Sequence, residues 1–161
     1  MSDLNPYEKY LDGRAPLKIL NDTSFQIASA LAVIGPERSA LPTAPGKWSP
    51  AEIVCHLADC ELVFAFRLRQ TLAEDAPTIQ PFDQEKWADY YPGIAASLAL
   101  TAFTAMRSWN VLLITSALPA AANRTVTHPE RGTMTFATII ETMAGHDLNH
   151  LAQLKKLAVV N

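Results

Sequence analysis

Proline and glycine divide this chain into four long stretches, and that constrains its fold more than any other feature. They cluster at residues 13–16, 35–50, 77–81, 92–93, 119 and 129–132. Proline removes a backbone donor and clashes with the preceding turn, and glycine is entropically unfavourable, so neither suits a helix interior. The stretches between them are residues 16–34, 49–73, 93–118 and 135–159. In the first, Leu17, Leu20, Ser24, Ile27, Leu31 and Ile34 recur at steps of three and four, the period of one helix face. The second opens with a start signal: Ser49 as cap, Pro50 in the first turn, and Glu52 placed to complete a capping box. The third is rich in Ala and Leu. The fourth carries the stripe Phe136, Ile140, Met143, Asp147, Leu151 and Leu154.

Four helices of similar length in 161 residues predict an all-α four-helix bundle. The second helix would run roughly 36 Å at about 1.5 Å per residue. A long connection, residues 74–92, joins helices 2 and 3 and is expected to cross over or cover one end of the bundle. Thr125 to Thr127 and Thr133 to Thr135 are expected to pair as a short hairpin. The length reads as one domain, residues 1–161. Apolar residues at 49% against 18% charged exclude a disordered chain.

Thirteen basic residues against sixteen acidic ones leave no basic stripe of the kind nucleic acid requires, so no nucleic-acid partner is expected. No uninterrupted apolar run approaches the 20 or so residues of a membrane span, and no membrane partner is expected. The segment from Met1 to Tyr10 carries Asp3, Glu8 and Lys9 without an apolar region, and is read as no secretory leader. Cys55 and Cys60, five apart on one helix, point in different directions and read as reduced thiols, which fits a cytoplasmic protein.

The chemistry sits in the histidines. His146 and His150 are four apart, one turn above each other on one face. They fall on the edge of the fourth helix's stripe. His56 falls on the edge of the second helix's stripe, formed by Ile53, Leu57, Cys60, Phe64 and Leu68. Three inward imidazoles either find hydrogen-bond partners in the core or share one divalent ion. A neutral three-histidine set suits zinc, nickel, copper or iron and leaves a position open for water or substrate. Cys60, one turn from His56, is the candidate fourth ligand of a closed site. His146-Asp147-Leu148-Asn149-His150 has the spacing of a zinc-peptidase motif, but Asp147 replaces the expected Glu and no downstream ligand follows.

Asp147, in the middle of its stripe, needs a cation: Arg67 or Arg107 as ion pair, or a ligand imidazole that it orients. Asp59, three residues after His56, has the same two options of orienting a ring or facing solvent. His128 shapes a turn or reaches the mouth of the site. Arg67, Arg107 and Arg131 are candidates for recognising a carboxylate. Cys55, Leu62 and Phe66 lie opposite the second helix's core stripe, which calls for a homodimer interface or a cover from the long connection.

Taken in order, several short pieces resemble the DinB/YfiT-like superfamily. They are Asn5-Pro6-Tyr7, Gly46-Lys47-Trp48-Ser49-Pro50, His56-Leu57-Ala58-Asp59, Arg67-Leu68-Arg69, the stretch from Phe82 to Ala88, His128-Pro129-Glu130 with Gly132, and the run from His146 to His150. The resemblance covers nearly the whole chain. It implies a four-helix bundle in which His56, His146 and His150 bind one divalent metal, zinc or nickel first, iron or manganese after. It also implies a small-molecule substrate. Relatives include metal-dependent transferases and isomerases that use low-molecular-weight thiols such as bacillithiol or mycothiol, and others labelled hydrolases. Members are often dimers, and a homodimer is expected here. The resemblance assigns no catalytic residue beyond the ligands.

Overall fold

The computed structural model describes residues 4–159. Met1 to Asp3, the start of the segment read as no secretory leader, lie outside them. The elements run α1 (Glu8–Leu11), α2 (Pro16–Ile34), α3 (Pro36–Ser39), α4 (Pro50–Ala73), α5 (Gln84–Ala88), α6 (Ala96–Ala117), β1 (Thr125–His128), β2 (Gly132–Thr135) and α7 (Phe136–Val159). The four long helices are those the sequence predicts. The short helices α1, α3 and α5 carry no stripe long enough to be read.

Local chemistry sets the helix ends. The Ser49 side chain accepts from the Glu52 amide, and the Glu52 carboxylate accepts from the Ser49 amide at 2.6 Å, completing the capping box of α4. The Thr135 hydroxyl accepts from the Thr138 amide at the start of α7. The third helix is shorter than its expected 93–118. Gly93 takes a left-handed φ of 86° and Ala95 is extended, so helix begins only at Ala96. Leu118 is extended ahead of Pro119, whose ring disfavours helix in the residue before it.

Around the bundle the order is α2, α6, α4, α7, each packed on its two neighbours. The two helices consecutive in sequence, α2 and α4, therefore sit on a diagonal, as do α6 and α7. The β1–β2 hairpin pairs Thr125 with Thr135 and His128 with Gly132, and joins α6 to α7. The long connection after α4 runs beside it. The Ile79 amide donates to the Thr127 carbonyl and the Thr127 amide donates to the Pro77 carbonyl, so this segment lies along the hairpin like a third strand.

The interior is two apolar clusters with a polar layer between them. Leu20, Leu68, Ile114, Phe136, Ile139 and Met143 fill one. Ile27, Val54, Leu57, Phe103, Leu151 and Leu154 fill the other. Each such side chain stabilises the fold by about 1.5–3 kcal/mol when fully buried. Between them every long helix contributes buried polar residues: Thr23, Glu61, Arg107 with Asn110, and Asp147.

Arg107 carries that layer. Its Nη1 donates to Asp147 Oδ2 at 2.5 Å and its Nη2 to Glu61 Oε2 at 2.7 Å. Asn110 Nδ2 donates to the other Glu61 oxygen, and Arg69 donates to Asn110 Oδ1, both at 2.8 Å. Burial opposes the charge on Arg107, but the two carboxylates hold its pKa above the usual arginine value. By length and composition alone α6 could cross a membrane, with a mean hydropathy of 1.2. Here Arg107 and Asn110 tie it to α4 and α7.

Cys55 and Cys60 are both buried free thiols. Cys55 packs in the second apolar cluster and so leaves the outer face on which the sequence placed it. Leu62 and Phe66 do face outward, 53% and 63% exposed.

Candidate metal centre

His56 on α4 and His146 and His150 on α7 converge where these two neighbouring helices pack. The three are buried, and one ring nitrogen from each lies within 4.8 Å of the others. Ring centroids are 5.1 Å apart for His56 and His146, 4.8 Å for His56 and His150, and 4.6 Å for His146 and His150. The Nε2 atoms of His56 and His146 are 3.1 Å apart. Two ligands of a tetrahedral zinc ion with bonds of 2.0–2.1 Å would stand roughly 3.3 Å apart.

Neighbouring side chains hold the rings. Trp48 lies 4.9 Å from His56 between centroids, and Tyr7 meets His146 edge-on at 5.1 Å. Tyr7 can come so close because the residue before His146 is Gly145. A Cβ there would stand 2.6 Å from the Tyr7 carbonyl oxygen and 2.7 Å from its Cβ. A mid-helix glycine costs about 1 kcal/mol relative to alanine, and here it lets the N-terminal segment pack directly on α7.

Burial sets the protonation of the cluster. Desolvation, with His150 close by, lowers the His56 pKa to about 3. Desolvation lowers His150 to about 4, and it holds His146 well below the ordinary histidine value, helped by the other two rings and Arg107. All three are therefore neutral at pH 7, the form that ligates metals.

Their donor demand is not met within the protein. In a nitrogen–nitrogen contact only one ring donates, and although Gln153 interacts with the His150 ring, the buried His150 Nδ1 has no hydrogen-bond partner among the described residues. Neutral imidazole nitrogens at this spacing, one of them orphaned, fit a divalent ion. Cys60 Sγ is 3.5 Å from His56 Nε2 and 3.7 Å from its Nδ1. Burial and the nearby Asp59 carboxylate push its thiol pKa far up, so it stays protonated unless a metal displaces the proton.

Two cavities reach the cluster from different sides. A wide one, about 730 Å³, is bounded by His56, His150, Trp48, Lys47, Asn149 and Lys156. A narrow one, about 90 Å³, reaches His146. Tyr7 and Gln84 line both. The long connection therefore covers the site, supplying Gln84 and Glu85 to one cavity and Ile79 and Phe82 to the other.

The other candidates separate. Asp147 takes the ion-pair option, with Arg107 and not Arg67 as its cation. That removes Arg107 from any role in substrate recognition, since it is buried and engaged by two carboxylates. Asp59 accepts from the Tyr91 hydroxyl at 2.8 Å, so it anchors the end of the long connection. His128 does both things expected of it: its Nδ1 accepts from the Glu130 amide in the hairpin turn, and it borders the narrow cavity. Glu61 was missed, although it shares the inward stripe of Leu57, Phe64 and Leu68, where a carboxylate must have a partner. The packing of Tyr7 and Trp48 on the imidazoles leaves no periodic trace in the sequence.

Comparison with known proteins gives a consistent result. The family model described as "DinB superfamily" matches residues 20–154. A protein of Oceanobacillus iheyensis named "Putative metal-dependent hydrolase OB0782" is 29% identical over 113 residues, covering 70% of this chain and 66% of the relative. A Bacillus mycoides protein of the same description is 27% identical over 139 residues, covering 86% of this chain and 80% of the relative. Among solved structures, YfiT from Bacillus subtilis is described as "a probable metal-dependent hydrolase with an unusual four-helix bundle topology". It matches with a TM-score of 0.82 over 88% of this chain and 83% of its own, at 21% identity. At that identity the likeness speaks for the fold.

Proposed function

This chain belongs to the DinB superfamily, and on that premise we propose that it is a metal-dependent enzyme acting on a small molecule. Its single divalent ion, zinc or nickel, would be held by His56, His146 and His150. The observation that carries this reading is the convergence of three neutral, buried imidazoles, one with an orphaned nitrogen, two of which wall a cavity of about 730 Å³. A bound ion would supply Lewis acidity and lower the pKa of a water or thiol beside it. The residues do the rest. Burial keeps the rings unprotonated, Trp48 and Tyr7 pack on His56 and His146 and shield them from water, and Lys47 and Lys156 outweigh Glu85 around the wide cavity.

The metal-dependent hydrolase names of the relatives support hydrolysis as the reaction. A second reading, transfer of a low-molecular-weight thiol, is favoured by the volume of the wide cavity, which exceeds what an attacking water needs. A second copy of the chain packed over exposed Leu62 and Phe66 completes the proposal. Sedimentation should find a dimer that Phe66→Glu dissociates; an unaltered monomer rejects that part.

Elemental mass spectrometry of untagged protein tests the centre. About one ion per chain is expected, with a rise in Tm on reloading with zinc. His150→Ala should lose both. No uptake of zinc, nickel or iron would reject the enzyme reading and leave a non-catalytic bundle. Loaded protein assayed with an activated ester, and separately with a low-molecular-weight thiol and an aryl electrophile, distinguishes hydrolysis from transfer.

A further inference from the structure

The narrow cavity holds two cations that the bundle does not use. Arg67 of α4 and Arg131 of the hairpin turn both line it, next to His146. Among the described residues, no carboxylate lies within ion-pair distance of either one. Arg107 is the contrast: its guanidinium is engaged by two carboxylates, Glu61 and Asp147.

Arg67 is held in place rather than waving in solvent. Its Nη2 donates to the Gln80 carbonyl at 3.0 Å and its guanidinium lies 5.9 Å from the Phe82 ring centroid. Its Nε–H is buried with no acceptor. Buried donors are almost always satisfied, so an orphan asks for a missing acceptor. The remaining lining is mixed: Phe64, Ile79 and Phe82 offer an apolar wall, and Tyr7, Gln84 and Thr142 bring polar side chains.

We propose that this cavity binds the carboxylate of a small organic acid between Arg67 and Arg131, with the acid's short apolar part against Phe64, Ile79 and Phe82. A guanidinium presents a planar fork of donors that matches a carboxylate. A phosphate dianion has no apolar part to set against Phe64, Ile79 and Phe82, and its second charge is more costly to take out of water. The volume of about 90 Å³ suits an acid of a few carbons. That the bound acid is also the molecule processed at the histidine cluster rests on the reading above, since His146 borders the same cavity. The anion site itself stands on the arginines alone.

The test uses metal-free protein, so that failure of the metal centre and failure of the anion site are told apart. Butyrate, its neutral isostere butyramide, and inorganic phosphate are titrated by calorimetry at low, fixed ionic strength. Butyrate should bind, and butyramide and phosphate should bind at least about tenfold more weakly, as expected when charge-assisted hydrogen bonds are lost. Arg67→Met and Arg131→Gln should each weaken butyrate by about tenfold or more, while still taking up one zinc ion per chain. Arg131→Gln lies on a surface turn and decides the matter alone if Arg67→Met fails to fold. Equal butyrate affinity in Arg131→Gln overturns the proposal. So does butyrate binding that appears only after zinc loading, because the carboxylate would then sit on the metal.

Discussion

His146 and Asp147 are consecutive on α7 and equally buried, yet they serve two polar clusters of opposite character. Asp147 belongs to a cluster that closes on itself. Arg107, Glu61, Asn110 and Asp147 bond to one another across three helices, and only Arg107 Nε lacks a partner. His146 belongs to a cluster that stays open. Its three rings share one nitrogen–nitrogen contact, leave His150 Nδ1 orphaned, and border two cavities. The first fixes how α4, α6 and α7 sit together. The second waits for something from outside the chain. A buried polar residue is thus read by whether its partners are complete, since burial alone does not separate structure from function.

The largest expected effect tests the closed cluster. Asp147→Ala strips the buried Arg107 of one of its two carboxylates and leaves two of its hydrogen bonds unmade, and should cost about 3–5 kcal/mol, the range for breaking one partner of a buried ion pair. Urea unfolding should show the same loss with and without zinc. A loss confined to the zinc-loaded protein would mean that Asp147 serves the histidines, and the contrast between the clusters would collapse.

The next effect belongs to the open cluster without metal. Folded, His56 is held at about 3, His150 at about 4 and His146 well below the ordinary histidine value, against about 6.5 in the unfolded chain. As pH falls from about 6.5 toward 4, the unfolded chain takes up protons that the fold refuses, so stability falls with pH. The slope reaches up to about 1.4 kcal/mol per pH unit for each ring that stays neutral. His128, also lowered by burial, acts in the same sense, while Asp147, raised by burial, opposes it. Urea midpoints of metal-free protein at pH 7, 6 and 5 measure this, and a flat profile would show that the rings are not shielded from water.

The smallest effect sharpens the ligand set. Cys60→Ala should cost about 1 kcal/mol as a small buried truncation and leave zinc stoichiometry at one per chain. Loss of zinc would make Cys60 a fourth ligand and turn the open cluster into a closed one.

Much of the fold was legible because it rests on local chemistry. The Ser49–Glu52 box and the stripes of α2, α4 and α7 follow from backbone geometry that each segment carries with it. Only the ends of α6 shifted, where Gly93 and Pro119 act on the backbone over one or two residues. The candidate site was half legible. His146 and His150 announce themselves by one-turn spacing, and His56 by its phase on the stripe. Arg107 shows the other half: by sequence it was a candidate both to pair with Asp147 and to recognise a carboxylate, and its role appeared only when Glu61 and Asp147 arrived from other helices.

The sequence by itself determined four long helices, three of them with a clear stripe, a hairpin and three inward histidines, because period and capping are properties of neighbouring residues along one chain. Tertiary structure decided which helices are neighbours, and so that α4 meets α7 at the histidines. It decided that Arg107 and not Arg67 answers Asp147, that Tyr7 can rest on His146 across Gly145, and that Arg67 and Arg131 face one cavity. These depend on the rotation and register of each helix against the others, which side-chain packing fixes between segments far apart in sequence.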